Sequence, residues 1–225
     1  RGEIIGTWGS QYGFTNTELG LITGMGLVGF GAVILLASLI TDYVGYRTIM
    51  LLAFVCHVVS AVLFALTTTA FQSSGKDGAY MCLYWANTIF SVGNGLCEAA
   101  INPLVATLYP NKKTHYLNIL HAGWPAGLVL GALVGSFLKS MGWEVAMLSF
   151  MVPALFYGFV TIKERFPKSE AMSAGVSYGE MFAQFASPLL VFLLLIHACV
   201  GYVELGTDSW ISNIPNKFSG GQGVY

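Results

Sequence analysis

Long stretches without Asp, Glu, Lys or Arg dominate this chain and leave it few places to fold. Leu19 to Ile40, Thr48 to Phe71, Tyr116 to Leu138 and Val145 to Ile162 carry no charge, Ala79 to Pro110 carries only Glu98, and Phe182 to Val203 runs uncharged up to Glu204. A helix crossing a bilayer needs about 20 apolar residues at about 1.5 Å each. The stretches therefore predict six complete spans. Composition agrees, with 55% hydrophobic and 9% charged residues over 225, where a soluble domain carries about a quarter charged. The fold class is an all-α membrane protein.

The net charge of -1 gives no reason to expect nucleic acid or an acidic partner. Cys56, Cys82, Cys97 and Cys199 lie in apolar runs without C-x-x-C pairing or a metal-ligand His, so they read as small buried hydrophobes. Neither a metal nor a cofactor is expected. The opening Arg1-Gly-Glu-Ile-Ile-Gly and the closing Ser219-Gly-Gly-Gln-Gly-Val-Tyr225 both read as interior sequence, so a fragment is expected. Residues 1–14 are too short to cross and read as the outer end of a truncated first helix. Short connections make neighbouring helices antiparallel. The exception, with charge, Pro and Gly, divides the chain into a six-helix bundle over 1–162, a linker over 163–181, and a seventh helix beginning a second bundle over 182–225.

Lys and Arg counted in alternate loops give the orientation. Arg47, Lys112, Lys113, Lys163, Arg165 and Lys168 fall on one side, and Lys76, Lys139 and Lys217 on the other. The loops at 41–47, 111–115 and 163–181 are thus cytoplasmic in a multi-pass protein of the plasma (inner) membrane. Trp8, Tyr12, Trp143 and Tyr109 sit near span ends, where aromatic rings favour the interface.

Within the fourth helix, Tyr80, Tyr84, Asn87, Ser91, Asn94, Glu98 and Asn102 follow at steps of 4, 3, 4, 3, 4 and 4. At 100° per residue they form one stripe, which cannot face lipid. An ionisable group in a span lines a cavity or pathway by default. Interhelical hydrogen bonding, at about 0.6 kcal/mol per polar group, is the plainer alternative. His197, Gly201, Glu204 and Asp208 repeat the pattern on the seventh helix, although Asp208 could equally, and Glu204 less readily, lie in the outer headgroup layer, and a lone His such as His197 is more often a core residue.

Gly123, Gly127, Gly131 and Gly135 recur every fourth residue on the fifth helix, a ridge that another helix can approach closely. Pro125 invites a kink near Asn118 and His121. The third helix, with His57 and Cys56 in an apolar background, reads as peripheral scaffold. The second is Gly-rich and easily packed. The loop Gln72 to Gly78 carries no discernible chemistry. In the turn Ser38-Leu-Ile-Thr-Asp42-Tyr-Val-Gly45-Tyr-Arg47, Asp42 and Arg47 can pair or cap neighbouring helices.

That turn resembles the loop between the second and third helices of the major facilitator superfamily, a small residue followed by Asp, two residues, Gly, any residue and Arg or Lys. The usual first Gly falls at Ser38. Gly95-Leu-Cys-Glu98-Ala-Ala-Ile-Asn102-Pro103 is similar to the Gly-x-x-Glu-x-x-x-Asn-Pro run of the fucose and glucose/galactose permease group. Leu117-Asn118-Ile with His121, and Val200-Gly201 with Glu204, Ser209-Trp210 and Asn213, resemble the fifth and seventh helices of that group. The resemblance implies a fragment of a twelve-helix bundle, with Glu98 as a protonatable carboxylate, Glu204 in the second half of the cavity and Glu3 at the acidic position of the first helix. His121 stands where the fucose permease has Gln, Trp124 where it has a substrate-facing Asn, and Asp208 where the group has Gly.

The expected function is secondary active transport of a sugar or sugar-like solute by alternating access. Asn87, Asn94, Asn102, Asn118, His121, Trp124, Glu204 and Asp208 would bind the solute, Glu98 and Glu3 would carry a coupling proton, with Na+ as the other coupling ion, and Asp42, Gly45 and Arg47 would form the conformational motif. The partners are thus a small molecule, an ion and membrane lipid. Two other functions stay open: a membrane enzyme using Glu98, His121 and His197 for acid-base chemistry, and a solute sensor on the same scaffold.

Overall fold

The computed structural model describes residues 2–210, except the side chains of residues 2, 3, 27, 139, 202 and 204–210. All regular elements among the described residues are helical. They are α1 (Gly2–Tyr12), α2 (Asn16–Val44), α3 (Tyr46–Leu108), α4 (Lys113–Leu138), α5 (Trp143–Leu148), α6 (Met151–Lys163), α7 (Glu170–Ser173), α8 (Tyr178–Ala183) and α9 (Pro188–Trp210), with short 3-10 turns between some of them. The chain divides between Ser173 and Ala174 into two compact units.

Local chemistry sets the ends of these helices. Thr15 caps α2: its Oγ1 accepts the Glu18 N–H at 3.3 Å, while Glu18 Oε2 accepts the Thr15 N–H at 2.7 Å, satisfying two otherwise orphaned donors. Ser177 and Glu180 repeat this box ahead of α8, and the hydrogen bonds from the Ser177 backbone and hydroxyl hold the Glu180 carboxyl below its ordinary range. Gly45, at φ 86°, divides α2 from α3 in a conformation that costs only glycine little.

The 63-residue α3 would be about 95 Å long if straight, some three hydrocarbon thicknesses. Gly75, at φ 65° and ψ -151°, breaks it. The two limbs, residues 46–74 and 76–108, fold back as an antiparallel pair: the Tyr46 hydroxyl meets Thr107 Oγ1 at 3.3 Å, His57 Nε2 meets Asn94 Oδ1 at 3.1 Å, and Ser60 Oγ donates to the Ala86 carbonyl at 2.8 Å. These limbs are the third and fourth spans expected from sequence. In the turn between them, Lys76 Nζ pairs with Glu18 Oε2 at 2.8 Å and ties the turn to the start of α2.

Small residues let α2 lie close to the second limb. A Cβ at Gly26 would stand 3.0 Å from Ser91 Oγ, and one at Gly95 would stand 3.0 Å from the Phe30 carbonyl and Val33. α4 matches the fifth span and runs unbroken through Pro125. The sixth, Trp143–Lys163, is long and apolar enough to cross a membrane but contains a turn at Ser149 and Phe150 between α5 and α6.

The seventh span, expected as one helix over Phe182 to Val203, is broken. Tyr178–Ala186 and Pro188–Gly201 are bent by 73° at their junction. Pro188 is the cause, since its ring disfavours helical backbone at the preceding residue, and Ser187 is extended at φ -70° and ψ 122°.

The aromatic residues near span ends also differ. Trp8, Tyr12 and Trp143 are buried and turn into one cluster with Phe64 rather than outward to an interface. The Trp8 and Trp143 rings meet edge to face at 5.6 Å, and Trp143 Nε1 donates to Gln11 Oε1 at 3.0 Å. Their burial follows from α1 and α5 converging on the first limb of α3, where edge-on ring contacts are favourable. Tyr109 alone of the four stays exposed, stacked on Tyr116 at 3.7 Å.

Candidate functional site

The polar stripe lies on the second limb of α3, and its members meet different surroundings. At 100° per residue the seven residues spread over about 80°, enough for the flanks to meet different neighbours. Tyr80 and Tyr84 stack on each other, with Tyr80 edge-on to Phe14. Asn87 Nδ2 donates back to the Leu83 carbonyl at 3.0 Å. Ser91 is buried against α2, and Asn94 is held by His57 from the other limb. Ser91 and Asn94 are thus in contact with other helices of the chain itself.

Glu98 and Asn102 form the chemical centre of what remains. Asn102 Nδ2 donates to Glu98 Oε1 at 2.8 Å across one helical turn, and both residues are half-buried. Asn102 Oδ1 is buried without a donor. Pro103 follows, and its missing N–H removes the ladder bond to the Ala99 carbonyl, so this turn is rich in acceptors.

His57 is the residue that sequence reasoning set aside as scaffold. It is 6% exposed and joins three spans, with Nε2 against Asn94 Oδ1 and Nδ1 against the Tyr157 hydroxyl of α6 at 2.7 Å. The third helix is thus tied directly to the polar stripe. One signal was available: a buried ring with two polar atoms requires two partners, and only residues on other spans could supply them.

α4 presents the opposite case. Asn118, His121 and Trp124 are exposed, Trp124 by 57%, and Asn118 and His121 make no hydrogen bond to a described residue. A Cβ at Gly123, Gly127, Gly131 or Gly135 would meet nothing within 4 Å. The structure therefore does not bring the α4 candidates to Glu98 through direct bonds. Glu3, Glu204 and Asp208 fall outside the described side chains, and His197 is exposed on α9.

At the far end of the bundle, Arg47 Nη2 donates to the Ile162 carbonyl at 2.6 Å. That carbonyl belongs to the last turn of α6, where backbone acceptors lack helical partners and a cation is favoured. Asp42 and Arg47 make no ion pair, so of the two roles open to this turn Arg47 takes the capping one. Gly45 supplies the positive φ between them. Lys113 Nζ and Glu170 Oε2 pair at 2.7 Å at the same end. A cavity of about 220 Å³ there, lined in part by Tyr109, Lys112 and Tyr116, contains none of the stripe residues. Among the described residues no three His, Cys, Asp or Glu side chains gather as a metal site, and the four cysteines are free thiols.

The family model for the Major Facilitator Superfamily matches residues 4–220. The chain belongs to this superfamily. A Bacillus subtilis (strain 168) protein described as a candidate niacin/nicotinamide transporter, NiaP, is 23% identical over 94% of the chain. The chain spans about half the length of that relative, 52%. No solved structure matches. Superfamily membership and several helices of crossing length together make this a multi-pass membrane protein.

Proposed function

We propose that the chain is the first bundle, residues 1–162, the linker, 163–181, and the seventh helix, from 182 onward, of a secondary active transporter that moves a small polar solute by alternating access. The observation carrying this reading is the Glu98–Asn102 pair: a carboxylate in a span otherwise free of charge, half-buried on a polar face, with the unshared acceptor of Asn102 beside it. Intramembrane carboxylates mark ion and substrate pathways. Asn87, Asn94, Asn118, His121 and Trp124, with Glu204 and Asp208 of the seventh helix, are the further residues we propose for solute binding.

Proton coupling rests on Glu98. Its protonation on one side and release on the other would link solute movement to a pH gradient, with Asn102 donating to the ionised form. Loops 41–47, 111–115 and 163–181 would face the cytoplasm, a reading supported by the excess of Lys and Arg there and by the Arg47 and Lys113 contacts at one end of the bundle.

The solute class favoured by the Gly95 to Pro103 run is a sugar, whose hydroxyls suit Asn and carboxylate partners and whose apolar face suits an aromatic ring. The NiaP relative favours a second reading, a pyridine carboxylate or amide. An acid-base enzyme using Glu98 and His121 has less support, because the two share no hydrogen bond.

The test is uptake into vesicles by the full-length protein, using monosaccharides, sugar acids, nicotinate and nicotinamide under imposed pH or sodium gradients. Accumulation driven by the pH gradient is expected, and Glu98→Gln should abolish it while leaving solute exchange at equal concentrations. Gradient-driven uptake that survives Glu98→Gln, or that follows sodium alone, contradicts the proton role.

A further inference from the structure

The hydrogen bonds around Asn94 have a direction that its place in the stripe does not explain. Asn94 Oδ1 can only accept, so His57 Nε2, 3.1 Å away, carries hydrogen. Aromatic rings of Phe90, Phe150 and Tyr157 surround His57, with centroids 5.3, 6.3 and 5.9 Å away, and it forms no ion pair with a described carboxylate that would balance an imidazolium. In the neutral ring Nδ1 keeps its lone pair, and the Tyr157 hydroxyl donates to it across 2.7 Å. The protons along Tyr157, His57 and Asn94 thus point toward Asn94.

The consequence falls on the amide. With Oδ1 occupied, the free edge of Asn94 is its Nδ2 amine, which makes no hydrogen bond to a described residue. Gly93 helps hold the arrangement, since a Cβ there would stand 2.9 Å from the His57 ring, leaving the ring little room to turn.

We propose that His57 is a positioning residue. It fixes the Asn94 amide so that its Nδ2 is left free to donate at this point of the solute path. The solute recognised there presents an acceptor, such as a sugar oxygen, a pyridine nitrogen or a carboxamide carbonyl. The selection step rests on the reading of Asn94 as solute-lining; the tautomer of His57 does not.

Two measurements on the full-length protein decide it. In 15N spectra with labelled histidine, the resonance lost in His57→Gln identifies the ring. A protonated Nε2 with an unprotonated Nδ1 at neutral pH is expected, and Tyr157→Phe should release the ring into both tautomers. A native ring protonated at Nδ1, or at both nitrogens, overturns the proposal.

The second measurement is uptake of D-galactose and of nicotinamide into vesicles. His57→Gln, whose amide can donate where Nε2 does, should stay within about twofold of the native KM. His57→Leu should raise KM about tenfold with little change in kcat. Equal losses in both variants, or a loss confined to kcat, overturn the positioning role. Native vesicles that take up neither probe count against the transport reading for these solutes, and the 15N tautomer then decides the role of His57 by itself. Should His57→Leu fail to fold, Tyr157→Phe stands in for it in uptake, with KM rising for both probes.

Discussion

The second limb of α3 and the helix α4 carry similar residues and meet different surroundings. Both are apolar enough to cross a membrane, both contain Gly, Asn and an interior Pro, and both repeat small or polar residues every third or fourth position. On the limb, Gly93 and Gly95 are wedged against His57 and α2, whereas the four ridge glycines of α4 have open space where a Cβ would go. A repeating small or polar face states what a helix tolerates beside it. Which element sits there depends on residues elsewhere.

The comparison breaks first on large side chains. Phe64 is fully buried in the aromatic cluster, and Phe137 on α4 is 81% exposed. Lipid tails are about as apolar as a phenyl ring, so truncation costs mainly lost packing and a cavity rather than transfer to water. Phe64→Ala should destabilise by about 3 kcal/mol or more, and Phe137→Ala by less than about 0.5 kcal/mol, in unfolding of the detergent-solubilised protein. Equal losses would mean that α4 is packed as tightly as α3.

Glycine substitutions sharpen the same contrast between packed and open helix faces, because here the two should differ in sign. A Cβ at Gly158 of α6 would stand 2.5 Å from the Phe54 ring. Overpacking of that kind costs about 1–3 kcal/mol, against which the helix propensity gained by Gly→Ala returns only about 1 kcal/mol. Gly158→Ala should therefore lower the unfolding midpoint, while Gly127→Ala should leave it unchanged or raise it slightly. A loss at Gly127 as large as that at Gly158 would show a close neighbour on the ridge.

Much of the helical framework was legible because it depends on local rules. Charge-free lengths marked the spans, and the Gly75 break falls in the polar stretch between two of them. The break at Pro188 has a local cause, since a residue before Pro disfavours helical backbone, but Pro103 and Pro125 carry the same signal inside continuous helices, and the apolar length obscured it. The roles of Trp8, Tyr12 and Trp143 were not legible, because interface and core aromatics look alike until α1 and α5 are known to converge. His57 was misread for the same reason. Its partners lie 37 and 100 residues away in sequence, beyond any periodicity. Glu98 and Asn102 were legible as a unit, being one helical turn apart, but the capture of Ser91 and Asn94 by neighbouring helices required the packing.

The end of the bundle at Gly45 lies between these extremes, and its effects should be correspondingly small. Arg47 makes a charge-assisted bond to a carbonyl that the end of α6 leaves unpaired, so Arg47→Met should cost about 1 kcal/mol. Lys113 and Glu170 form an ion pair whose side chains remain 41% and 47% exposed, where water screens the attraction and ordering two long side chains opposes it. A double-mutant cycle with Lys113→Met and Glu170→Gln should give a coupling below about 1 kcal/mol. In about 1 M salt, where the screening length falls to about 3 Å, that coupling should vanish. The Arg47 loss should largely persist, because the end of α6 still lacks a donor for the Ile162 carbonyl. A coupling that survives high salt would place Lys113 and Glu170 with the packed limb of α3, as a pair withdrawn from solvent in the full-length protein.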